Sequence, residues 1–205
     1  YYLNEGTIVA EKKGSELIRY LFDENVNRFG LEWEGTKYYY VFNGQGDVIG
    51  ITDLRDRLGV SYTYDAWGKV LSVTDANGNA NTSSTFIGNV NPIRYRGYYY
   101  DTETGWYYLN ARYYDPNVGR FLSPDTILGA NGGLQGYNLF AYCNNNPVMF
   151  ADATGYALHR ANTAYATLET DGRAYIGVCM NSVSISKAIE GTLKSFEKEQ
   201  PKRSR

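Results

Sequence analysis

Along most of the chain, hydrophobic and polar positions alternate in short runs, and each run stops at a small polar turn. Ser61-Tyr62-Thr63-Tyr64 enters one such turn and Lys69-Val70-Leu71-Ser72-Val73 leaves it. Period-two alternation bounded by Asp, Asn and Gly predicts strand, turn, strand. Four segments repeat an aromatic, then Asp or Asn, then a turn closing on glycine. They are Phe42-Asn43-Gly44-Gln45-Gly46, Tyr64-Asp65-Ala66-Trp67-Gly68, Tyr100-Asp101-Thr102-Glu103-Thr104-Gly105 and Tyr114-Asp115-Pro116-Asn117-Val118-Gly119. A weaker fifth copy, Phe22-Asp23-Glu24-Asn25-Val26-Asn27, places Asn27 where the glycine belongs. Asparagine suits that place because it tolerates left-handed backbone angles. The acidic or amide residue opening each turn is expected to cap it through its side chain, and Asp65, Asp101 and Asp115 are assigned that role alone. The starts at 43, 65, 101 and 115 are unevenly spaced. The pattern therefore predicts irregular hairpins stacked into a curved sheet rather than a strict solenoid.

Between the hairpins the grammar changes. Asp75 to Asn91 reads as a polar loop, and a denser block follows from Ile93 to Asp125. Leu139 to Tyr142 reads as a helical turn ended before Pro147. After Gly155 the repeats stop. Residues 158–170 read as weakly helical and Arg173 to Met180 as a strand. Ser182 to Glu199 reads as an amphipathic helix, with Val183, Ile185, Ile189, Leu193 and Phe196 near one face. The fold class expected is mostly β, in three regions: hairpin repeats over 1–92, a denser core over 93–156, and a small α-containing C-terminal tail over 157–205.

Composition agrees with strands and turns. The 205 residues include 21 tyrosines and 22 glycines against five prolines. Tyrosine fits half-buried pleated surfaces and glycine supplies tight turns. The tyrosines are expected to be half-buried strand residues with hydroxyls reaching water. A formal net charge of −2 argues against a nucleic-acid partner held by phosphate contacts. The basic run Lys202, Arg203 and Arg205 reads as a solvated tail. Cys143 and Cys179 read as two free, small hydrophobes. No signal peptide or membrane-length apolar run is legible. The chain begins at Tyr1 in mid-pattern and reads as a piece of a longer polypeptide.

Other chemistry finds no foothold. A Ser/His/Asp triad would have to use His159, the single histidine, and no nucleophile elbow accompanies it. No Cys, His and carboxylate cluster has metal spacing, so no cofactor is expected. Gly129 to Gly136 lacks the lysine of a phosphate loop.

One stretch carries a family resemblance. Tyr95-Arg96-Gly97-Tyr98-Tyr99-Tyr100-Asp101, then Gly105-Trp106-Tyr107-Tyr108-Leu109-Asn110-Ala111-Arg112-Tyr113-Tyr114-Asp115-Pro116 and Gly119-Arg120-Phe121-Leu122-Ser123-Pro124-Asp125, closely resemble the Rhs repeat-associated core. So do Tyr137-Asn138-Leu139-Phe140-Ala141-Tyr142, Asn145-Asn146-Pro147-Val148 and Asp152-Ala153-Thr154-Gly155. The upstream turns look like YD repeats. The resemblance implies the end of a spiral β-sheet shell that encloses a variable C-terminal polypeptide, often a toxin. It also implies that the core plugs the shell and cuts the chain once, just after the plug. The cut is attributed to two aspartates supported by an arginine. Asp125 stands at the first aspartate and Asp152 at the second. Arg112 is the first choice for the arginine and Arg120 the second. The family often has proline after both aspartates, where this chain has Thr126 and Ala153.

Amide hydrolysis by two carboxylates needs one charged to activate water and one protonated to serve the leaving group. Two carboxylates a few ångströms apart divide those roles, because both do not ionise together. By resemblance the cut falls at Tyr156–Ala157 or one bond earlier, which marks Gly155, Tyr156 and Ala157. The implied partners are the chain's own tail, as substrate and cargo, and the upstream repeats of the same polypeptide. An immunity or export partner is a further expectation. No nucleic acid and no membrane span are expected, and the implied location is secreted or at the cell surface. Two rival readings stand beside this one: a structural plug without activity, and a surface carbohydrate-binding module built on the tyrosines.

Overall fold

The computed structural model describes residues 1–4, 7–55, 57–126 and 137–156, together with three strands of the tail. Eight strands form one antiparallel sheet in chain order: β1 (Tyr2–Asn4), β2 (Thr7–Lys13), β3 (Glu16–Phe22), β4 (Arg28–Trp33), β5 (Thr36–Phe42), β6 (Val48–Thr52), β7 (Leu58–Tyr64) and β8 (Val70–Asp75). A single helical turn, α1 (Ile87–Val90), follows. A second, four-stranded sheet in the order β12-β11-β10-β9 then uses β9 (Tyr99–Asp101), β10 (Trp106–Tyr108), β11 (Tyr113–Asp115) and β12 (Arg120–Phe121). Last come β13 (Phe150–Ala151) paired with β14 (His159–Arg160), and β15 (Thr163–Thr170) paired with β16 (Arg173–Met180).

The turns explain the large sheet. At Asp23, Asn43, Asp53, Asp65 and Asp75, the side-chain Oδ1 accepts the backbone N–H groups two and four residues on, at 2.8–3.2 Å. A register shift sits one residue before the Asp23, Asn43, Asp53 and Asp65 turns. Such a bulge bends the strand and raises its twist, which curves the sheet. Asp23, Asn43 and Asp65 lie two strands apart from one another and therefore share one edge of the sheet. Asp53 and Asp75 serve the opposite edge, together with the two-residue hairpin Glu34-Gly35, whose φ angles of 49° and 74° suit a tight antiparallel link. The uneven spacing seen in the sequence is thus an order: alternate turns belong to alternate edges. The Asp53 turn escaped notice because Thr52 and Leu54 to Arg57 offer neither aromatic nor glycine.

Several expectations change. The left-handed residue of the weak fifth turn is Val26 (φ 62°), not Asn27, because it stands three places after Asp23 as Gly46, Gly68 and Gly78 stand after their own caps. The stretch Asp75 to Asn91 is more than a polar loop. It carries the Asp75 turn and α1, and Phe86, Ile87 and Val90 pack against the sheet's core of Leu31, Val48, Ile51 and Val60. Leu139 to Tyr142 is not helical. The carbonyls of Leu139 and Phe140 accept the N–H groups of Asp125 and Phe121, so the segment runs alongside β12. A 3-10 turn follows at Cys143–Asn145 instead. Residues 163–170, expected as weak helix, are β15: Thr163, Tyr165 and Thr167 alternate with alanines, and tertiary pairing overrides alanine's helical preference. Arg173 to Met180 is the strand expected. The helix expected over Ser182 to Glu199 and the loop Gly129 to Gly136 lie outside the described residues.

The tyrosines divide: Tyr38, Tyr39, Tyr64, Tyr99, Tyr100 and Tyr108 are the half-buried strand residues expected, whereas others lie deeper. Tyr107, Tyr114 and Tyr142 are fully buried, and they form a second core with Tyr95, Tyr98, Leu109, Phe121 and Cys143, which is a free thiol. Their hydroxyls do not reach water. Tyr62 donates to Gly88 O at 2.7 Å and Tyr64 to Val48 O at 2.7 Å. Tyr95, Tyr114 and Tyr107 donate to three consecutive carbonyls of one turn, Ala66, Trp67 and Gly68, at 3.0, 2.7 and 2.8 Å. The second sheet therefore sits on the turn edge of the first, joined through tyrosine hydroxyls that meet backbone acceptors of that turn.

Val26 gives the fold's simplest test. It is 68% exposed, so replacing it forfeits little packing. A left-handed β-branched residue costs about 1–2 kcal/mol, partly offset by the chain entropy of glycine. Val26→Gly is expected to stabilise the protein by about 0.5–1 kcal/mol, read as a raised urea midpoint. A lowered midpoint would contradict the turn assignment.

Candidate active site

The tight link between β10 and β11 positions the first member. Asn110 takes φ 66°, and Leu109 N–H donates to Arg112 O at 3.0 Å, which turns the Arg112 side chain inward. Asp125 follows β12 and is held by its own N–H to Leu139 O at 2.8 Å. Asp152 follows β13 and caps a turn that needs no proline: its Oδ1 accepts Thr154 N–H at 3.2 Å and Gly155 N–H at 2.7 Å. Gly155 has φ 75°, and a β-carbon there would stand 2.9 Å from Leu109 O, so only glycine closes this turn. Ala111 N–H donates to Thr154 O at 3.2 Å, which docks the turn on the Arg112 loop.

These elements converge on one guanidinium. Arg112 Nη2 lies 3.0 Å from Asp125 Oδ2 and 3.5 Å from Asp152 Oδ2. The two oxygens are therefore no further apart than those two legs combined. Arg112 Nε donates to Gly155 O at 2.5 Å, and Nη1 to Leu139 O at 3.3 Å. The guanidinium carbon lies 3.7 Å from the Phe121 ring centroid. All three charged side chains are 5–7% exposed. Behind Asp152, Tyr98 Oη accepts the Asp152 N–H at 3.2 Å and pairs with Tyr142 Oη at 3.1 Å.

Asp125, Asp152 and Arg112, remote in sequence, share one buried site. Arg120, the second choice for the arginine, is exposed on β12 opposite Asp115. Gly155 is buried with its carbonyl on Arg112, whereas Tyr156 is 54% exposed, and Ala157 lies outside the described residues. Both Gly155 and Tyr156 fall between the paired strands β13 and β14. Tyr98, Phe121 and the carbonyls of Leu139 and Gly155 went unnoticed in the sequence. Backbone acceptors leave no signal there, and Tyr98 is one tyrosine among many. Among the described residues no group of three or more His, Cys, Asp or Glu could hold a metal ion, and no helix is long and apolar enough to cross a membrane.

A tyrosine-rich antiparallel sheet curved by capped turns, with a second small sheet seated on its turn edge, defines a class of shell-forming repeat proteins. The chain belongs to that class: residues 5–148 match the Teneurin YD-shell family. Over 137 residues it is 41% identical to the tRNA3(Ser)-specific nuclease WapA of Bacillus spizizenii, covering 67% of this chain and 6% of that protein. Over 64 residues it is 47% identical to toxin protein Tse5 of Pseudomonas aeruginosa, covering 31% of this chain and 5% of that protein. Its fold matches the crystal structure of TcdB2-TccC3-Cdc42 with a TM-score of 0.55 and 25% identity, over 69% of this chain and 6% of that one. The chain thus spans a small fraction of the length of each of these relatives, and it is a segment of a YD/Rhs shell.

Arg112 is the cation shared by Asp125 and Asp152, and removing it takes a guanidinium partner from both. Arg112→Met, which keeps most of the volume, is expected to cost about 3–5 kcal/mol at pH 7. Urea unfolding at pH 7 measures it, and a loss below about 1 kcal/mol would refute the electrostatic reading.

Proposed function

We propose that this segment closes a YD-type shell around a C-terminal polypeptide and cuts its own chain once beside Gly155. The observation that carries the reading is the convergence of Asp125, Asp152 and the Gly155 carbonyl on the single Arg112 side chain. In this reading residues 1–92 are shell repeats, 93–156 the plug and cutting region, and 157–205 the start of the cargo or its remnant. The chain's own tail is both substrate and cargo, and further repeats of the same polypeptide extend the sheet from β1, whose edge is the natural place for another strand. The toxin names borne by relatives support an effector as cargo, and a secreted or surface location goes with it.

The chemistry follows from the positions. One carboxylate takes a proton from water as the water oxygen adds to the carbonyl carbon. Arg112, aimed at the Gly155 carbonyl, is placed to favour negative charge growing on an oxygen there. The second carboxyl group, which starts protonated, gives its proton to the leaving nitrogen as the C–N bond breaks, which frees a new carboxyl end and a new amino end. The scissile bond is Tyr156–Ala157 or the preceding Gly155–Tyr156. Each molecule cuts once, because the substrate is held in the same chain. A carbohydrate-binding role finds less support, since the buried tyrosine rings pack on one another, as Tyr114 and Tyr142 do with centroids 4.1 Å apart.

Intact mass of the freshly made protein tests the proposal. The wild-type chain is expected to yield a fragment ending at Gly155 or Tyr156, whereas Asp125→Asn and Asp152→Asn chains stay whole. An intact wild-type chain under conditions where it is folded would leave a structural plug as the function. Cutting that persists in both variants would remove the two aspartates from the mechanism.

A further inference from the structure

Arg96 is not part of the acid pair, yet it is among the most constrained residues in the molecule. Its backbone is left-handed (φ 55°) and its side chain is 1% exposed. A non-glycine residue holds that conformation only where its surroundings fix it. Here Asp47 does so: its Oδ1 accepts Arg96 N–H at 2.9 Å, and its Oδ2 accepts Asn43 Nδ2 at 2.6 Å. The guanidinium then joins two distant segments, donating to Gln45 O at 2.9 Å on the shell turn and to Pro147 O at 2.5 Å. A parallel strut runs from Gln45 Nε2 to Val148 O at 3.1 Å. From Pro147 and Val148 the chain passes through β13 directly to Asp152. Two residues beyond Arg96, Tyr98 meets the Asp152 N–H. The stretch from Arg94 to Tyr98 therefore touches the shell turn at one end and the second aspartate at the other.

We propose that Arg96 is a positioning residue that makes placement of Asp152 depend on docking of the plug against the Asn43–Asp47 turn, so that cutting waits for the shell wall. The inference rests on the self-cutting reading and adds to it a condition for assembly. The Arg96 guanidinium bonds to carbonyls on both sides, so without it the segment 147–152 keeps Tyr98 and the Gln45 strut as its ties to this region. Arg96 touches neither carboxylate of the pair and acts through that segment.

Two variants test it. Arg96→Gly removes the guanidinium while glycine accepts the left-handed backbone without strain. Gln45→Ala removes the exposed strut alone and leaves the turn's own bonds in place. In a cell-free synthesis time course, Arg96→Gly is expected to slow cutting about tenfold or more, and Gln45→Ala about threefold. Near-UV circular dichroism should keep its folded tyrosine signal in both. Amide hydrogen exchange, measured in the uncut Asp125→Asn chain, should quicken over residues 149–155 in both variants while β10 to β12 stay protected, a pattern that general loosening does not give. Wild-type cutting rates together with unchanged exchange over 149–155 would overturn the inference. Should Arg96→Gly fail to fold, Gln45→Ala decides alone. Should the wild-type chain never cut, the proposed function falls, and exchange over 149–155 still decides whether Arg96 holds Asp152 in place.

Discussion

The structure depends on how one tight turn satisfies its backbone. In the turn from Asp65 to Lys69, the Asp65 carboxylate accepts the N–H groups of Trp67 and Lys69, which leaves the carbonyls of Ala66, Trp67 and Gly68 looking outward. Beneath the second layer, the buried Gly68 carbonyl would cost about 1–3 kcal/mol without a donor. Tyr95, Tyr114 and Tyr107 supply the three donors, and their rings fill the space between the layers. Gly68 is obligatory because a β-carbon would stand 2.4 Å from the Tyr95 ring, and Gly119 packs against Trp67 under a similar limit. A turn of the first sheet has become the floor of the second.

That floor orients everything above it. The β9 to β12 sheet stands on it with Tyr107 and Tyr114 pointing down, and the Arg112 link lies between their strands. Asp125 and Asp152 then reach the same guanidinium from segments that are themselves held by backbone bonds, to Leu139 for one and within the Asp152 turn for the other. A buried cation facing two carboxylates is poor evidence of stabilisation, since desolvation offsets much of the attraction. The same guanidinium also donates to the Gly155 carbonyl, which ties the group to the Asp152 turn.

How much of this was legible in the sequence depends on the kind of signal. Alternation and aspartate-glycine turns are local, so the strands and most turns could be read, and the resemblance over Tyr95 to Gly155 named the three charged residues. Asp53 was missed because its turn dispenses with glycine and aromatic, and Val26 because a β-branched residue is a poor candidate for left-handed backbone. The burial of the core tyrosines was misjudged for a deeper reason. Period two tells which face a ring takes, but not whether another layer covers it, and the donors' targets are carbonyls, which every residue has. The joint between the layers is a tertiary fact with no local trace.

The state of the Tyr95, Tyr107 and Tyr114 hydroxyls tests the central claim most directly. Burial raises all three above the ordinary tyrosine value, Tyr95 to about 12. A folded-state value above the unfolded one gives stability that is whole below about pH 10 and is lost as pH climbs toward the folded value. Carbon-13 NMR of tyrosine Cζ, assigned by single Tyr→Phe replacements, follows each ring through an alkaline titration. The account predicts that these three signals stay in the neutral form past pH 10 and change only as the protein unfolds. Ionisation near pH 10 with the remaining signals still folded would mean that the hydroxyls face water and that the second sheet is not seated on the turn.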